Sequence, residues 1–366
     1  MLLAVIDGFP AGLAINHDII NRELQRRQGG YGRGGRQKLE TDTVDVLTGV
    51  WQGTTIGSPV TLAVANADAK IERMKDVERP RPGHADLAGA IKHLGSIRGV
   101  LERASARETA ARVAAGALAR QLLALFGIEV FGFVRQLEAI ETTPREGDLD
   151  TLRSFRDASP MYTLDPEADP AIVARVDAAT QEGDTLGGIV EVRVLNLPFG
   201  LGSHTQWDRK LDGMLAQSVM SIQAIKGVEI GLGFEAARRS GSRVHDEIAY
   251  SEEEASGPTL GYQRRTNNAG GLEAGMTNGQ PLVIRAAMKP ISTLRRPLAS
   301  INLRTKESET AAYERSDVCA LAACSVIVEN VVAFSVAQAF VDKFGNDSVA
   351  EITARYHGFL ELARAR

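Results

Sequence analysis

The sequence predicts a layered α/β fold, and three observations carry that prediction. Ala110, Val113, Ala114, Ala117 and Leu118 recur at helical spacing, Gly127 supplies a stop, and residues 128–134 resume as a strand. Residues 211–225 likewise read as a helix, stopped by Gly227 and followed by a strand over 228–234. The composition, 44% hydrophobic and 24% charged over 366 residues, is that of a globular chain able to bury a large core. Strands alternating with long helices point to mixed α/β layers. The likeness of Phe126-Gly-Ile-Glu-Val130 to Lys226-Gly-Val-Glu-Ile230 hints at a repeated helix-to-strand unit.

The other elements follow in order. Residues 1–12 read as a short strand closed by a Pro-Ala-Gly turn, and 15–27 as an amphipathic helix with a basic end. A glycine-rich loop spans 28–36, and 44–47 and 60–64 are β-like. Ser105 and Glu108 have the Ser-x-x-Glu spacing of a capping box, which predicts a helix beginning at Ser105. Residues 144–182 are acidic, proline-containing and weakly periodic, as in a peripheral insertion, whereas 285–296 begin strand-like. The apolar run over 318–340 is long enough to consider as a membrane span, but Glu329, Asn330 and Gln338 interrupt it. A buried core helix is the better reading. No interdomain linker is visible, so residues 1–366 are expected to form one domain with long functional loops.

Composition also excludes function classes. A net charge of -4 argues against a generally basic nucleic-acid-binding protein, so any anion site must be a local concentration of arginine. Cys319 and Cys324 are too few for a disulfide framework and wrongly spaced for a zinc knuckle, which fits a reducing cytoplasm. The apolar start is cut off by Asp7, Gly8 and Pro10, unlike a secretory signal. No spacing suggests a metal.

Several basic, glycine-containing stretches point to anion binding. Arg22, Arg26, Arg27, Arg33 and Arg36 surround the loop of residues 29–35, where glycine permits close backbone approach and arginine offers paired donors. Arg103 and Arg107 flank the Ser105 cap, and a helix start with adjacent arginines suits phosphate or carboxylate. His84 follows Arg79 and Arg81 and precedes Asp86, a setting in which it could donate a proton to an electron-rich ligand. Residues 267–271 and 275–279 form a second loop rich in glycine and amides, followed by the donors Lys289, Ser292, Thr293, Arg295 and Arg296. Gly30, Gly32 and Gly35 match Gly-x-Gly-x-x-Gly by spacing but follow a helix rather than a strand, so a phosphorylated ligand would be held in a non-Rossmann manner. RNA contact through the Gly/Arg loop is the weaker alternative.

Eight segments, in order, resemble the chorismate synthase family: Arg26-Arg-Gln-Gly-Gly-Tyr-Gly-Arg-Gly-Gly-Arg36, Arg79-Pro-Arg-Pro-Gly-His-Ala-Asp86, Glu102-Arg-Ala-Ser-Ala-Arg-Glu-Thr-Ala110, Ser221-Ile-Gln-Ala-Ile-Lys-Gly-Val-Glu-Ile230, Asn267-Asn-Ala-Gly-Gly271, Met276-Thr-Asn-Gly-Gln280, Met288-Lys-Pro-Ile-Ser-Thr293 and Arg315-Ser-Asp-Val-Cys319. The resemblance implies a β-α-β sandwich, a homotetramer, and anti-1,4-elimination of phosphate from 5-enolpyruvylshikimate 3-phosphate to give chorismate, the last step of the shikimate pathway. It also implies dependence on reduced FMN (FMNH2), restored by an external flavin reductant, with NADP as an associated nucleotide. By the same resemblance His84 protonates the reduced flavin, and Asp317 assists proton removal through flavin N5. Arg103, Ala104, Ser105, Gln223, Ala224, Ala274, Lys289, Pro290, Ile291, Ser292, Thr293 and Arg315 fall where the family contacts FMN. Arg27 and Arg33 match nucleotide contacts, although the physical reading assigns them equally to substrate anions.

Three departures stand out. Ala274 occupies a position usually glycine, an added methyl that a negative φ would tolerate. His93, in Lys92-His-Leu-Gly95, replaces part of a usual Lys-Tyr-Gly. Family members open with a further segment carrying Gly-Glu-Ser-His-Gly, and this chain begins beyond it. A start displaced from the true one is expected; the alternative is a truncated, weakly active or inactive flavin-binding homologue.

Overall fold

The structure, a computed structural model, describes residues 1–34, 42–66, 74–314 and 316–366. Gly35, Arg36 and Arg315 lie outside the described residues. In chain order the elements are β1 (Leu2–Ile6), α1 (His17–Gln28), β2 (Val44–Thr48), β3 (Val50–Trp51), β4 (Thr54–Thr55), β5 (Val60–Val64), α2 (Asp86–His93), α3 (Ile97–Ala104), α4 (Thr109–Ala124), β6 (Glu129–Leu137) and β7 (Ile140–Glu141). There follow α5 (Leu149–Ala158), α6 (Asp169–Glu182), β8 (Gly188–Leu195), α7 (Leu211–Met220), β9 (Ile225–Ile230), β10 (Ile248–Tyr250), β11 (Tyr262–Arg264), β12 (Leu272–Glu273), β13 (Met276–Thr277), β14 (Leu282–Met288), β15 (Ala299–Ile301), β16 (Ser308–Thr310), α8 (Leu321–Phe344) and α9 (Val349–Arg364).

Alternating side chains decide which face of each sheet is covered. A small antiparallel sheet has the order β1-β5-β2. Ile6, Val60, Leu62 and Val64 are buried on it, while Leu3 and Val5 are exposed on the opposite face. The larger antiparallel sheet runs β7-β6-β8-β14-β9. In β14, Leu282, Ile284, Ala286 and Met288 are buried, and Val283, Arg285 and Ala287 alternate with them.

Helices fill the space between the sheets. α4 contacts β1 and β5 on one side and β6 on the other, and α8 lies along β6, β8 and β14. This is the expected β-α-β sandwich. α4 and α8 meet backbone to backbone: a Cβ on Gly116 would stand 2.1 Å from the Asn330 carbonyl oxygen. Only a residue without a side chain fits there.

α8 is apolar on nearly every side because it is covered on every side. It is long and apolar enough to cross a membrane, yet most of it is buried inside the fold, as the polar interruptions anticipated. Glu329, with no exposed side-chain surface, meets Arg26 Nη2 at 3.0 Å and Arg120 Nη1 at 3.1 Å. Glu23 takes Arg26 Nη1 at 2.8 Å, Arg120 Nη1 at 2.9 Å and Asn330 Nδ2 at 3.1 Å. Burial pushes the Glu23 carboxyl up, but the Arg120 and Arg26 guanidiniums and the hydrogen bonds prevail and hold it at about 2.

Local readings are corrected at four places. The helix expected from Ser105 is instead a 3₁₀ turn over Ala106–Glu108, with α4 beginning at Thr109. Ser105 Oγ caps the Arg107 amide, while the Glu108 carboxylate turns outward to basic and amide partners instead of returning to Ser105. The helix expected over 211–225 ends at Met220, because Ala224 takes φ +67 and Ile225 pairs with Met288. Gly127 is a turn residue with φ +71 whereas Gly227 pairs with Ala287 inside β9, so the two similar segments are not equivalent units. Residues 144–182 hold α5 and α6, whose narrow apolar stripe of Ile172, Val176 and Ala179 lies hidden among charged neighbours.

Candidate active site

The segment after β14 supplies five of the predicted site residues, Lys289, Pro290, Ile291, Ser292 and Thr293. It leaves the sheet against Gly187, where an added Cβ would stand 2.4 Å from the Met288 carbonyl oxygen and 2.8 Å from the Pro290 nitrogen. That approach holds residues 288–290 against the entry to β8. The Lys289 amide then donates to the Ala224 carbonyl at 2.9 Å, and its ammonium donates to the Gly83 carbonyl. Partial burial and the neighbouring Lys226 ammonium draw the Lys289 amine below its usual range. Thr185 Oγ1 donates to the Ile291 carbonyl at 2.7 Å, and Ser292 Oγ to the Gly83 carbonyl at 3.4 Å. Thr293 Oγ1 accepts from Arg81 Nη1 at 2.8 Å.

Arg81, His84 and Asp86 form a tight cluster beside Gly83. Asp86 opens α2 with no exposed side-chain surface. Its Oδ2 accepts from the Arg81 amide at 3.0 Å and Arg81 Nε at 2.8 Å, and its Oδ1 from Arg81 Nη2 at 3.1 Å. His84 Nδ1 is 2.5 Å from Asp86 Oδ1. Burial alone would raise the Asp86 carboxyl, but hydrogen bonds from His84 and Arg81 outweigh it and hold the group well below the usual carboxylate range. The His84 side chain keeps 23% of its surface exposed.

Glu108 links a second part of the site to the first. Its carboxylate meets Arg103 Nη1 at 3.7 Å, Arg112 Nε at 3.0 Å and Gln223 Nε2 at 2.6 Å. Ala104 and Ser105 sit between Arg103 and this carboxylate, both half-buried. Contacts therefore run without interruption from Arg103 through Glu108, Gln223, Ala224, Lys289 and Gly83 to His84.

Arg33 and Asp317 meet at a third point. Arg33 Nη1 is 3.0 Å from Asp317 Oδ2, and the Gly34 amide donates to Asp317 Oδ1 at 2.6 Å. The Val318 amide donates to the Gly32 carbonyl, Leu186 in turn to the Val318 carbonyl, and Thr185 before it reaches Ile291. The Arg33–Asp317 pair is thus two short links from the 288–293 segment.

Arg26, Arg27 and Arg107 face inward. Arg27 is buried, with Nε on Thr109 Oγ1 at 3.0 Å and Nη2 on the Ala106 carbonyl at 3.3 Å. Arg107 clamps Asp42 with two bonds of 2.6 and 2.7 Å. Arg26 belongs to the core network, and Arg22 is exposed. Ala274 sits in the turn between β12 and β13 with φ +53, not the negative φ that would suit its methyl group. Its hairpin packs through Gly275 on Lys210.

Glu108, Arg81 and Asp86 emerge as organisers that sequence reasoning underrated. Glu108 reads as a helix cap until its long-range partner Gln223 is known. Asp86 reads only as a charge near His84. Two clefts lie elsewhere: one of about 510 Å³ between Phe131, Arg193 and Arg285 on the large sheet, and one of about 360 Å³ beside Arg79 and Glu309. Neither takes in His84, Lys289 or Asp317.

The donor set fits a phosphorylated, polar-ringed cofactor. Arg103 is largely exposed, Lys289 and Ser292 add donors, and Gln223 Oε1 is a buried acceptor without a partner among the described residues. An amide acceptor and a cationic rim together suit a planar heterocycle carrying phosphate.

The fold is that of a β-α-β sandwich enzyme, in which basic side chains lie near a histidine and an aspartate. The sequence profile described as chorismate synthase matches residues 1–341. Chorismate synthase of Geobacter metallireducens is 55% identical, covering 100% of this chain and 96% of its own length. Chorismate synthase of Symbiobacterium thermophilum is 52% identical, covering 100% of this chain and 97% of its own. A solved structure described as a crystal structure of chorismate synthase superposes with a TM-score of 0.80 at 39% identity, covering 100% of this chain and 95% of that one. The chain belongs to the chorismate synthase family, and it is a carbon–oxygen lyase with chorismate synthase function.

Proposed function

We propose that the chain converts 5-enolpyruvylshikimate 3-phosphate to chorismate and phosphate by anti-1,4-elimination, with reduced FMN held along the path from Arg103 to Lys289. The observation that carries this reading is that unbroken path of contacts, which ends at His84. Arg103, Ala104, Ser105, Gln223, Ala224 and Lys289 through Thr293 would hold the flavin, Lys289 and Arg103 supplying cations for its phosphate. When bound, reduced FMN supplies an electron-rich ring that lends electron density transiently and recovers it, so no net redox change results.

The chain's own residues carry the proton work and the anion binding. His84 holds a proton at the edge of the site, and Arg81 and Asp86 keep its ring in place. Asp317, positioned by Arg33 and the Gly34 amide, accepts the proton that leaves as phosphate departs. Arg33 also offers its charge to the carboxylates of the substrate. Arg315 and Ala274 complete the assignment made by resemblance, as does Arg27 for a nucleotide such as NADP, although Arg27 also braces Thr109 and the Ala106 carbonyl.

The flavin is reduced by an external reductant, and the protein works in the cytoplasm as a homotetramer. Two buried free cysteines suit a reducing compartment. Exposed Leu3, Val5, Leu47 and Trp51 near the small sheet support association with further copies. The test is anaerobic turnover with chemically reduced FMN, following phosphate release. His84→Ala is expected to weaken turnover far more than FMN affinity; equal losses would make His84 merely structural, and no phosphate release by the intact protein would end the reading.

A further inference from the structure

We infer that Asp86 is a positioning residue that locks His84 as its Nδ1–H tautomer, leaving Nε2 as the ring atom that takes up and delivers the proton. This deepens the proposed function and rests on the reading of His84 as the proton-handling group.

The argument is one of donor and acceptor accounting. An ionised carboxylate accepts hydrogen bonds and donates none. Asp86 is held strongly toward that form by its partners, and it lies wholly inside the protein. Oδ2 is filled by the Arg81 amide and Arg81 Nε, and Oδ1 by Arg81 Nη2 and His84 Nδ1. The contact of 2.5 Å between His84 Nδ1 and Oδ1 is therefore a hydrogen bond only if Nδ1 carries the proton. In the other tautomer a lone pair on Nδ1 would face a buried anion, and the carboxylate would lose one of its donors. Arg81 Nη2, which carries two hydrogens, also lies 3.1 Å from Nδ1 and 3.5 Å from Nε2. Donation to Nδ1 would need the opposite tautomer, which sets a lone pair 2.5 Å from the Asp86 oxygen, so the shorter contact decides.

Arg81 makes the arrangement stiff. Its guanidinium reaches Asp86 through Nε and Nη2, and Thr293 through Nη1. The histidine tautomer is thereby tied to the 288–293 segment. In the proton cycle, Nε2 takes a proton from a solvent hydronium ion, which becomes water, to give the doubly protonated ring. It then releases that proton to the bound ligand and returns to the neutral Nδ1–H form, so protons and charge balance. Where a buried carboxylate orients a catalytic imidazole in this way, an amide in its place leaves the wrong tautomer and costs on the order of 10⁴ in kcat.

The test uses full-length protein with histidine labelled by the heavy nitrogen isotope, the His84 signals being assigned by their loss in His84→Gln. In the neutral ring, a protonated Nδ1 and an unprotonated Nε2 are expected; a protonated Nε2 overturns the inference. This measurement needs no variant that might fail to fold. In Asp86→Asn the amide presents N–H to the ring, so the tautomer should invert, with kcat down about 10²–10⁴-fold and KM little changed. Inversion with an intact kcat would also overturn it. The two readings fail separately: full turnover by His84→Ala sinks the role of His84, whatever the spectrum shows, while a dead His84→Ala with a protonated Nε2 in the native ring sinks only the lock.

Discussion

Arg33 reaches Asp317 with Nη1 3.0 Å from Oδ2, joining the loop after α1 to the segment that enters α8. The Gly34 amide donates to the other carboxylate oxygen, so two donors separated by one peptide fix the orientation of this side chain. Asp317→Asn keeps the size of the side chain but removes its ability to accept a full proton. Turnover should fall about 10²–10⁴-fold, with reduced FMN affinity little changed. Single-turnover phosphate release and flavin titration check this, and a variant with native turnover would remove Asp317 from the reaction.

Gly187 supports the site by packing on the backbone of Lys289 and Pro290, two of the predicted ligand contacts. An added methyl at that position would collide with the Met288 carbonyl and the Pro290 nitrogen, both backbone atoms that cannot swing aside. Gly187→Ala should therefore cost about 1–3 kcal/mol of stability and weaken FMN binding by shifting Lys289. Urea denaturation and flavin titration read the two effects; unchanged affinity would show that the segment relaxes independently of the site.

Acid should weaken the core network before it unfolds the rest. The Glu23 carboxyl titrates at about 2 in the folded protein against 4.5 for an ordinary glutamate. Because the folded value is depressed, its contribution is complete above 4.5 and is lost as pH falls toward 2. Asp86 acts with the same sign, below the ordinary aspartate value of 3.8. Denaturation midpoints should decline across that window, and Glu23→Gln should flatten the decline while lowering stability at neutral pH. Parallel slopes for the two proteins would contradict the assignment.

Ala274 holds a left-handed backbone that glycine adopts without strain. Ala274→Gly should stabilise the protein by about 1 kcal/mol, the usual gain when a non-glycine residue at positive φ is relieved. A thermal or urea midpoint that falls instead would mean that the methyl makes contacts outweighing the strain.

Much of the architecture was legible because burial imposes periodicity. β5, β6, β14 and α8 each carry a run of apolar residues that only a covered face explains, and Glu329 within α8 signalled a buried partner rather than a lipid. α6 was not legible, since acidic residues and proline surround its stripe. The break after Met220 was also hidden, because it depends on Ala224 adopting a left-handed conformation.

Ordered short motifs by themselves were enough to assign the family and the layered class, since local spacing and burial pattern are written along the chain. They could not distinguish Arg33 from Arg26, Arg27 or Arg107. All four are basic residues near glycine or a helix start, yet one meets Asp317 and the others turn to Glu329, Thr109 and Asp42. That choice belongs to tertiary structure: a guanidinium takes the acceptor that folding brings within hydrogen-bond reach, and for Arg26 and Glu329 those acceptors come from 303 residues away.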